Sequence, residues 1–136
     1  MGSGGSSVAR EWVIDVQPEL RCIAPTRVAV RNHLSACGFT QTADAELMVS
    51  ELVGNAIVHA GTQISVTVRC TAERTVVEVH DGSPVMPEPR AHEPLRPGGH
   101  GLRIVEALAR RWGVKSCAGN GKTVWFEVGP SAPPLP

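Results

Sequence analysis

The chain has 136 residues, enough for one domain that buries a core of its own. Thirteen basic and 13 acidic residues cancel to a formal net charge of +0, which leaves no electrostatic footprint for nucleic acid or an anionic membrane. Three Trp, two Phe and no Tyr argue against base-stacking platforms, and no apolar stretch approaches the roughly 20 residues that span a bilayer.

Cys22, Cys37, Cys70 and Cys117 are scattered, with no C-x-x-C and no His at ligand spacing. Small buried thiols in a reducing compartment account for them better than disulfides or a zinc site. A soluble, cytoplasmic protein is the expectation. Residues 1–10 are rich in Gly and Ser and read as a flexible leader rather than a signal peptide. A single ordered domain is expected over 11–129, and the tail 130–136, with four of the 11 prolines, is expected to be disordered.

In chain order, Trp12, Ile14 and Val16 alternate with Val13, Asp15 and Gln17, which predicts a strand over 12–17. Pro25 and Thr26 open a helix to about Cys37, with Val30, His33, Leu34 and Cys37 on one stripe and Gly38 as its stop. Thr42, with Asp44 and Glu46 in the first turn, starts a second helix that Gly61 ends. Strict alternation predicts a strand over 64–70, and 75–80 makes a second, joined to it by a hairpin around Ala72-Glu73-Arg74. Five prolines fall within 82–99 and apolar periodicity fails there, so a long loop of the lid type is expected. A third helix is predicted over 102–112, with Leu102, Val105, Ala109 and Trp112 inward. A closing hairpin of strands 114–117 and 123–128 then turns at Gly119-Asn120-Gly121. The order β-α-α-β-β-loop-α-β-β predicts an α+β two-layer sandwich: three helices on one face of a mixed or antiparallel sheet.

Glu51 and Asn55 lie four residues apart in the second helix, so they share a face at the edge of the apolar stripe formed by Met48, Leu52 and Ala56. A carboxylate and a carboxamide in that position are either satisfied locally or held for a ligand. A carboxamide oxygen suits a hard divalent cation, and a neighbouring carboxylate suits a base. By spacing alone, a surface or capping role is the simpler account. Asp81-Gly82 ends a strand, where a plain Asx-Gly turn is the ordinary explanation. An Asp at a pocket lip also accepts well from an exocyclic amine such as that of adenine, with Gly82 allowing a flat ring to approach. Gly98-Gly99-His100-Gly101-Leu102 precedes the third helix, whose first free N–H groups make a phosphate site. A flexible hinge fits that run as well, and it matches neither the dinucleotide-binding nor the P-loop pattern. Thr123 opens the last strand, either as an ordinary strand residue or with its hydroxyl reaching toward Asp81. His59, one turn beyond Asn55, and His100 carry no assigned chemistry.

Taken in order, these signals resemble one family: the ATP-binding fold of gyrase, the heat-shock chaperone, histidine kinases and the MutL mismatch-repair protein. The phrases Glu-Leu-Val-x-Asn-Ala…His-Ala and Gly-His-Gly-Leu-x-Ile-Val are similar to those of the anti-sigma-factor serine kinases of Gram-positive bacteria, especially the small versions of actinomycetes. The resemblance spans residues 12–128. It implies ATP and Mg²⁺ as cofactors, with Glu51 as the base or water-orienting carboxylate and Asn55 as the Mg²⁺ ligand. It also implies that Asp81 and Gly82 bind adenine with support from Thr123, and that Gly99, His100, Gly101 and Leu102 surround the phosphates. The family often carries a further glycine where this chain has Ser83-Pro84. Arg90 and Arg96 are the lid's candidate phosphate-facing cations.

The implied function is Mg-ATP-dependent phosphorylation of a serine on an anti-sigma-factor antagonist. The alternative is a non-catalytic nucleotide-binding module that binds a sigma factor or another partner. A homodimer is compatible with either. Retention of both Glu51 and Asn55 favours the kinase, because a pure binder has no use for a base.

Overall fold

In a computed structural model the described residues are 10–83 and 101–129. They form strands β1 (Arg10–Val16), β2 (Ile64–Cys70), β3 (Thr75–Asp81), β4 (Arg111–Ser116) and β5 (Lys122–Val128), with helices α1 (Ile23–Ala36), α2 (Ala43–His59) and α3 (Gly101–Leu108). A short 3-10 turn, Leu20–Cys22, leads into α1. The five strands make one sheet in the order β1-β2-β3-β5-β4, and every neighbouring pair is antiparallel. The expected α+β sandwich is therefore present.

One sheet face is apolar because every second residue of the strands turns to it. Val16, Ile64, Val66, Val68, Val77, Val79, Val124 and Phe126 pack with Val30 and Leu34 of α1. Met48, Val49, Leu52, Val53 and Ala56 of α2, and Leu102 and Val105 of α3, complete that cluster. At about 25 cal/mol per Å² of apolar area removed from water, this shared face is the main term holding the helices to the sheet. The opposite face is polar: Arg69 of β2 donates to Glu11 of β1 at 2.8 Å and to Glu78 of β3 at 2.9 Å. Cross-strand charge pairs of this kind help hold the register on a solvated face.

Two boundaries differ from the sequence reading. Arg10, expected in the leader, opens β1, and its guanidinium donates to the Ala36 carbonyl at 2.9 Å. The third helix stops at Leu108 instead of reaching Trp112, and Trp112 belongs to β4, opposite Phe126. Trp112 satisfies both periods, since it follows Val105 at helical spacing and alternates with Val114. Pairing along β5 satisfies the backbone groups of 111–116 and decides between them. The leader before Arg10, the tail after Gly129 and most of the expected 82–99 loop lie outside the described residues. Among the described residues no helix is long and apolar enough to cross a membrane.

Candidate functional site

The helix α2 carries the first part of the site. Its buried positions Ala45, Met48, Val49, Leu52, Val53 and Ala56 fix its rotation against the sheet. Glu51 and Asn55 are left on one flank, each half-buried. The Asn55 Oδ1 atom is fully withdrawn from solvent and has no hydrogen-bond partner among the described residues. A buried carbonyl oxygen left unpaired costs about 1–3 kcal/mol, so it marks a place where a partner is expected. Glu51 makes no hydrogen bond or ion pair with the described residues. His59 ends α2 and is exposed.

The second part sits at the end of β3. Asp81 pairs with Ile64 on one side and Lys122 on the other, and its side chain points to the helix-covered face. It is 4% exposed. Oδ1 accepts from the Lys122 ammonium at 2.9 Å and from the Ser83 amide at 2.8 Å. The Gly82 amide donates to Thr62 Oγ1 at 2.8 Å, and a Cβ at Gly82 would stand 3.3 Å from Thr62 Cβ, so glycine gives the turn its close fit. Gly121, with φ of 85°, passes beneath Asp81 and Gly82 so closely that any side chain would strike their backbone.

Thr123 does not reach toward Asp81, so of the two readings the sequence left open that one falls. It lies opposite His80 in the β3–β5 register, and its hydroxyl is 2.9 Å from His80 Nδ1. Cys117 Sγ is 3.6 Å from the same hydroxyl. Alternation explains the difference: Lys122, not Thr123, shares the face of Asp81. Lys122 and Thr62 both bond to this turn, and sequence reasoning missed them. Lys122 was findable, because a strand that turns Val124 and Phe126 inward must turn Lys122 inward too. Thr62 follows the stop of α2 and carries no local signal.

The third part is the start of α3. Gly101 is its first residue, and the Leu102 side chain is buried in the core, which anchors the helix N-terminus. Gly99 and His100, Arg90 and Arg96 lie outside the described residues. The helix α2 packs against both β3 and α3, so the elements bearing Glu51 and Asn55, Asp81 and Gly101 adjoin.

The donor set fits Mg²⁺. The ion keeps several waters and takes one or two protein oxygens alongside phosphate oxygens, and an unpaired buried carboxamide oxygen is such a ligand. Among the described residues no cluster of three or more His, Cys, Asp or Glu side chains offers an all-protein metal cage.

Together, an antiparallel sheet covered by three helices and a strand-end Asp beside an Asn-bearing helix define the class. Residues 16–128 match the histidine kinase-like ATPase domain, and the chain belongs to that family. Among solved structures, it is similar to the crystal structure of the RsbU and RsbW domains of Rv1364c from Mycobacterium tuberculosis. That match has a TM-score of 0.67 and 19% sequence identity over 90% of this chain. The likeness is one of fold, and this chain spans about a third (34%) of the length of that one. Comparison with curated proteins returns no match.

Proposed function

We propose that the protein is an ATP-binding regulatory module that uses Mg-ATP to phosphorylate a serine or threonine of a partner protein, the partner being an antagonist in an anti-sigma-factor switch. The observation that carries the reading is the flank of α2, where the buried Asn55 Oδ1, unpaired among the described residues, stands four residues from Glu51. The family membership supports ATP as the nucleotide, and the RsbW-containing fold neighbour supports a partner-switching role.

Each residue has a defined task in this reading. Asp81 accepts from the exocyclic amine of adenine, and Gly82 leaves room for the ring. The amides of Gly101 and Leu102, at the start of α3, face the phosphates in this reading, where the helix terminus favours negative charge. Asn55 would hold Mg²⁺, which supplies charge neutralisation at the phosphate oxygens. Glu51 accepts the proton of the attacking hydroxyl. Phosphoryl transfer demands mainly positioning and charge stabilisation, which this arrangement can provide without a covalent enzyme intermediate.

The test is incubation of the protein with labelled ATP, Mg²⁺ and candidate antagonist proteins bearing a serine at the docking surface. Label transferred to serine supports the kinase. Tight ATP binding with no transfer to any candidate would favour the non-catalytic module.

A further inference from the structure

Lys122 is the residue of this turn that the nucleotide reading leaves without a task. The side chains of Lys122 and Asp81 are 10% and 6% exposed, and Nζ stands 2.9 Å from Oδ1. Withdrawing an ammonium and a carboxylate from water opposes folding, and apolar residues of similar volume would serve a core as well or better. The pair therefore calls for another account.

The bonding pattern supplies one. Lys122 Nζ donates to Asp81 Oδ1 and lies 3.5 Å from the Ser83 carbonyl oxygen, while the Ser83 amide donates to the same Oδ1. Two donors converge on one carboxylate oxygen, which fixes the plane of the carboxyl group. Among the described residues nothing bonds Oδ2. That oxygen is left to accept from a ligand, and an ionised carboxylate can only accept.

We propose that Lys122 is the positioning residue for nucleobase choice. By occupying Oδ1 and supplying the counter-charge, it presents Asp81 Oδ2 as a fixed, acceptor-only group that takes the exocyclic amine of an aminopurine and repels the keto oxygen that guanine carries at that place. The proposal rests on the ATP-site reading above. Without the ammonium, one of the two donors that fix the carboxyl plane is gone. The group is then free to rotate, and neither oxygen is held where it accepts from an amine and opposes a keto oxygen.

Calorimetry of Mg-ATP and Mg-GTP binding to wild type, Lys122→Met and Lys122→Arg tests this. Wild type should prefer ATP. Lys122→Met should lose at least about tenfold of that preference, the scale of one charge-assisted hydrogen bond. Lys122→Arg, which keeps a charged donor, should retain most of it. A folded Lys122→Met with the wild-type ATP-to-GTP ratio overturns the proposal. So does an equal loss for both nucleotides, because a purely structural role predicts that result. Should Lys122→Met fail to fold, wild type itself gives the answer. Lys115 and Lys122 are the chain's two lysines, one exposed and one buried, so lysine-selective ¹³C labelling gives two resolvable side-chain signals. Mg-ATP should shift the Lys122 signal more than saturating Mg-GTP does, and a signal unmoved by saturating Mg-ATP overturns the proposal. Wild type that binds neither nucleotide brings down the ATP reading and this proposal together. ATP binding with indifferent Lys122 results removes the positioning role alone.

Discussion

Gly121 runs so close under Asp81 that a Cβ built on it would stand 1.9 Å from the Asp81 carbonyl oxygen and 2.7 Å from Gly82 Cα. Its φ of 85° is one that side-chain-bearing residues rarely adopt. The atoms it would strike are backbone, held by the β3–β5 ladder and by the Gly82 bond to Thr62, and they have little room to yield.

Gly121→Ala should therefore cost about 3 kcal/mol or more of stability, combining the left-handed backbone penalty with a clash that cannot relax. Gly119 is the control. Its φ is 81°, but nothing lies within 4 Å of its would-be Cβ, so Gly119→Ala should cost only about 1–2 kcal/mol. Urea denaturation of both variants checks the contrast, and equal losses would show that the close approach to Asp81 is not a constraint.

Asn55→Ala should weaken ATP binding in the presence of Mg²⁺ and leave binding with EDTA nearly unchanged. The variant removes the carboxamide oxygen that the ion would use. Stability should hold or rise slightly, because an unpaired buried polar atom disappears. Equal ATP affinity of wild type with Mg²⁺ and with EDTA would count against the assignment.

Asp81→Asn should weaken ATP binding by about 1.5–3 kcal/mol, the worth of a hydrogen bond to a charged acceptor. The fold should also lose thermal stability, because Lys122 is buried against Asp81 and would keep only a neutral partner. Affinity is thus to be measured well below the lowered melting temperature. If ATP and GTP bind equally well before and after the change, Asp81 does not read the amine.

The layers of the fold were legible because a half-buried strand has no freedom in its pattern. Residues 64–70 alternate strictly, and the sheet turns Ile64, Val66 and Val68 onto the helices. The end of α3 was not legible, since Trp112 fits a helix and a strand equally until β5 pairs with it. In the site, Glu51, Asn55 and Asp81 stood out as polar groups beside apolar stripes. Thr62 and Gly121 did not, because their roles exist only across separations of 20 and about 40 residues along the chain. The partner of Thr123 stayed open for a related reason: the register that sets it against His80 comes from the whole ladder.

His33 offers a check that is independent of the nucleotide. It stacks on Trp12 with ring centroids 4.5 Å apart and planes 14° from parallel. Burial holds its pKa below the ordinary 6.5. The unfolded chain then binds the proton at a pH where the folded one does not, so stability falls as pH drops below about 6.5 toward the folded value. The contribution of the neutral ring is fully present above that window. His33→Phe keeps an aromatic ring over Trp12 without the titration. The stability of the variant relative to wild type should rise as pH is lowered from about 7 to about 5, measured by urea denaturation at each pH. A constant difference across that range would place the lowered pKa in doubt.

Glu51→Gln separates the functional readings most sharply. The substitution preserves length, shape and hydrogen-bonding capacity, and Glu51 has no ion pair among the described residues whose loss would disturb the fold. If Glu51 takes the proton of the attacking hydroxyl, the variant should bind ATP and the partner protein as wild type does. It should transfer phosphate about 10²–10⁴-fold more slowly, because a carboxamide cannot accept that proton near neutral pH. If Glu51 is only a solvated helix residue, binding and transfer should both stay within about twofold, as for most surface changes. If the protein is a binding module without catalysis, wild type transfers nothing and the variant binds the partner equally well. The measurement is label appearing on a serine-bearing antagonist, run beside calorimetry of ATP binding for both proteins. Undiminished transfer by the variant removes Glu51 from the mechanism. Lost transfer with lost ATP affinity would instead assign Glu51 to nucleotide binding, and only slow transfer with intact binding makes it the base.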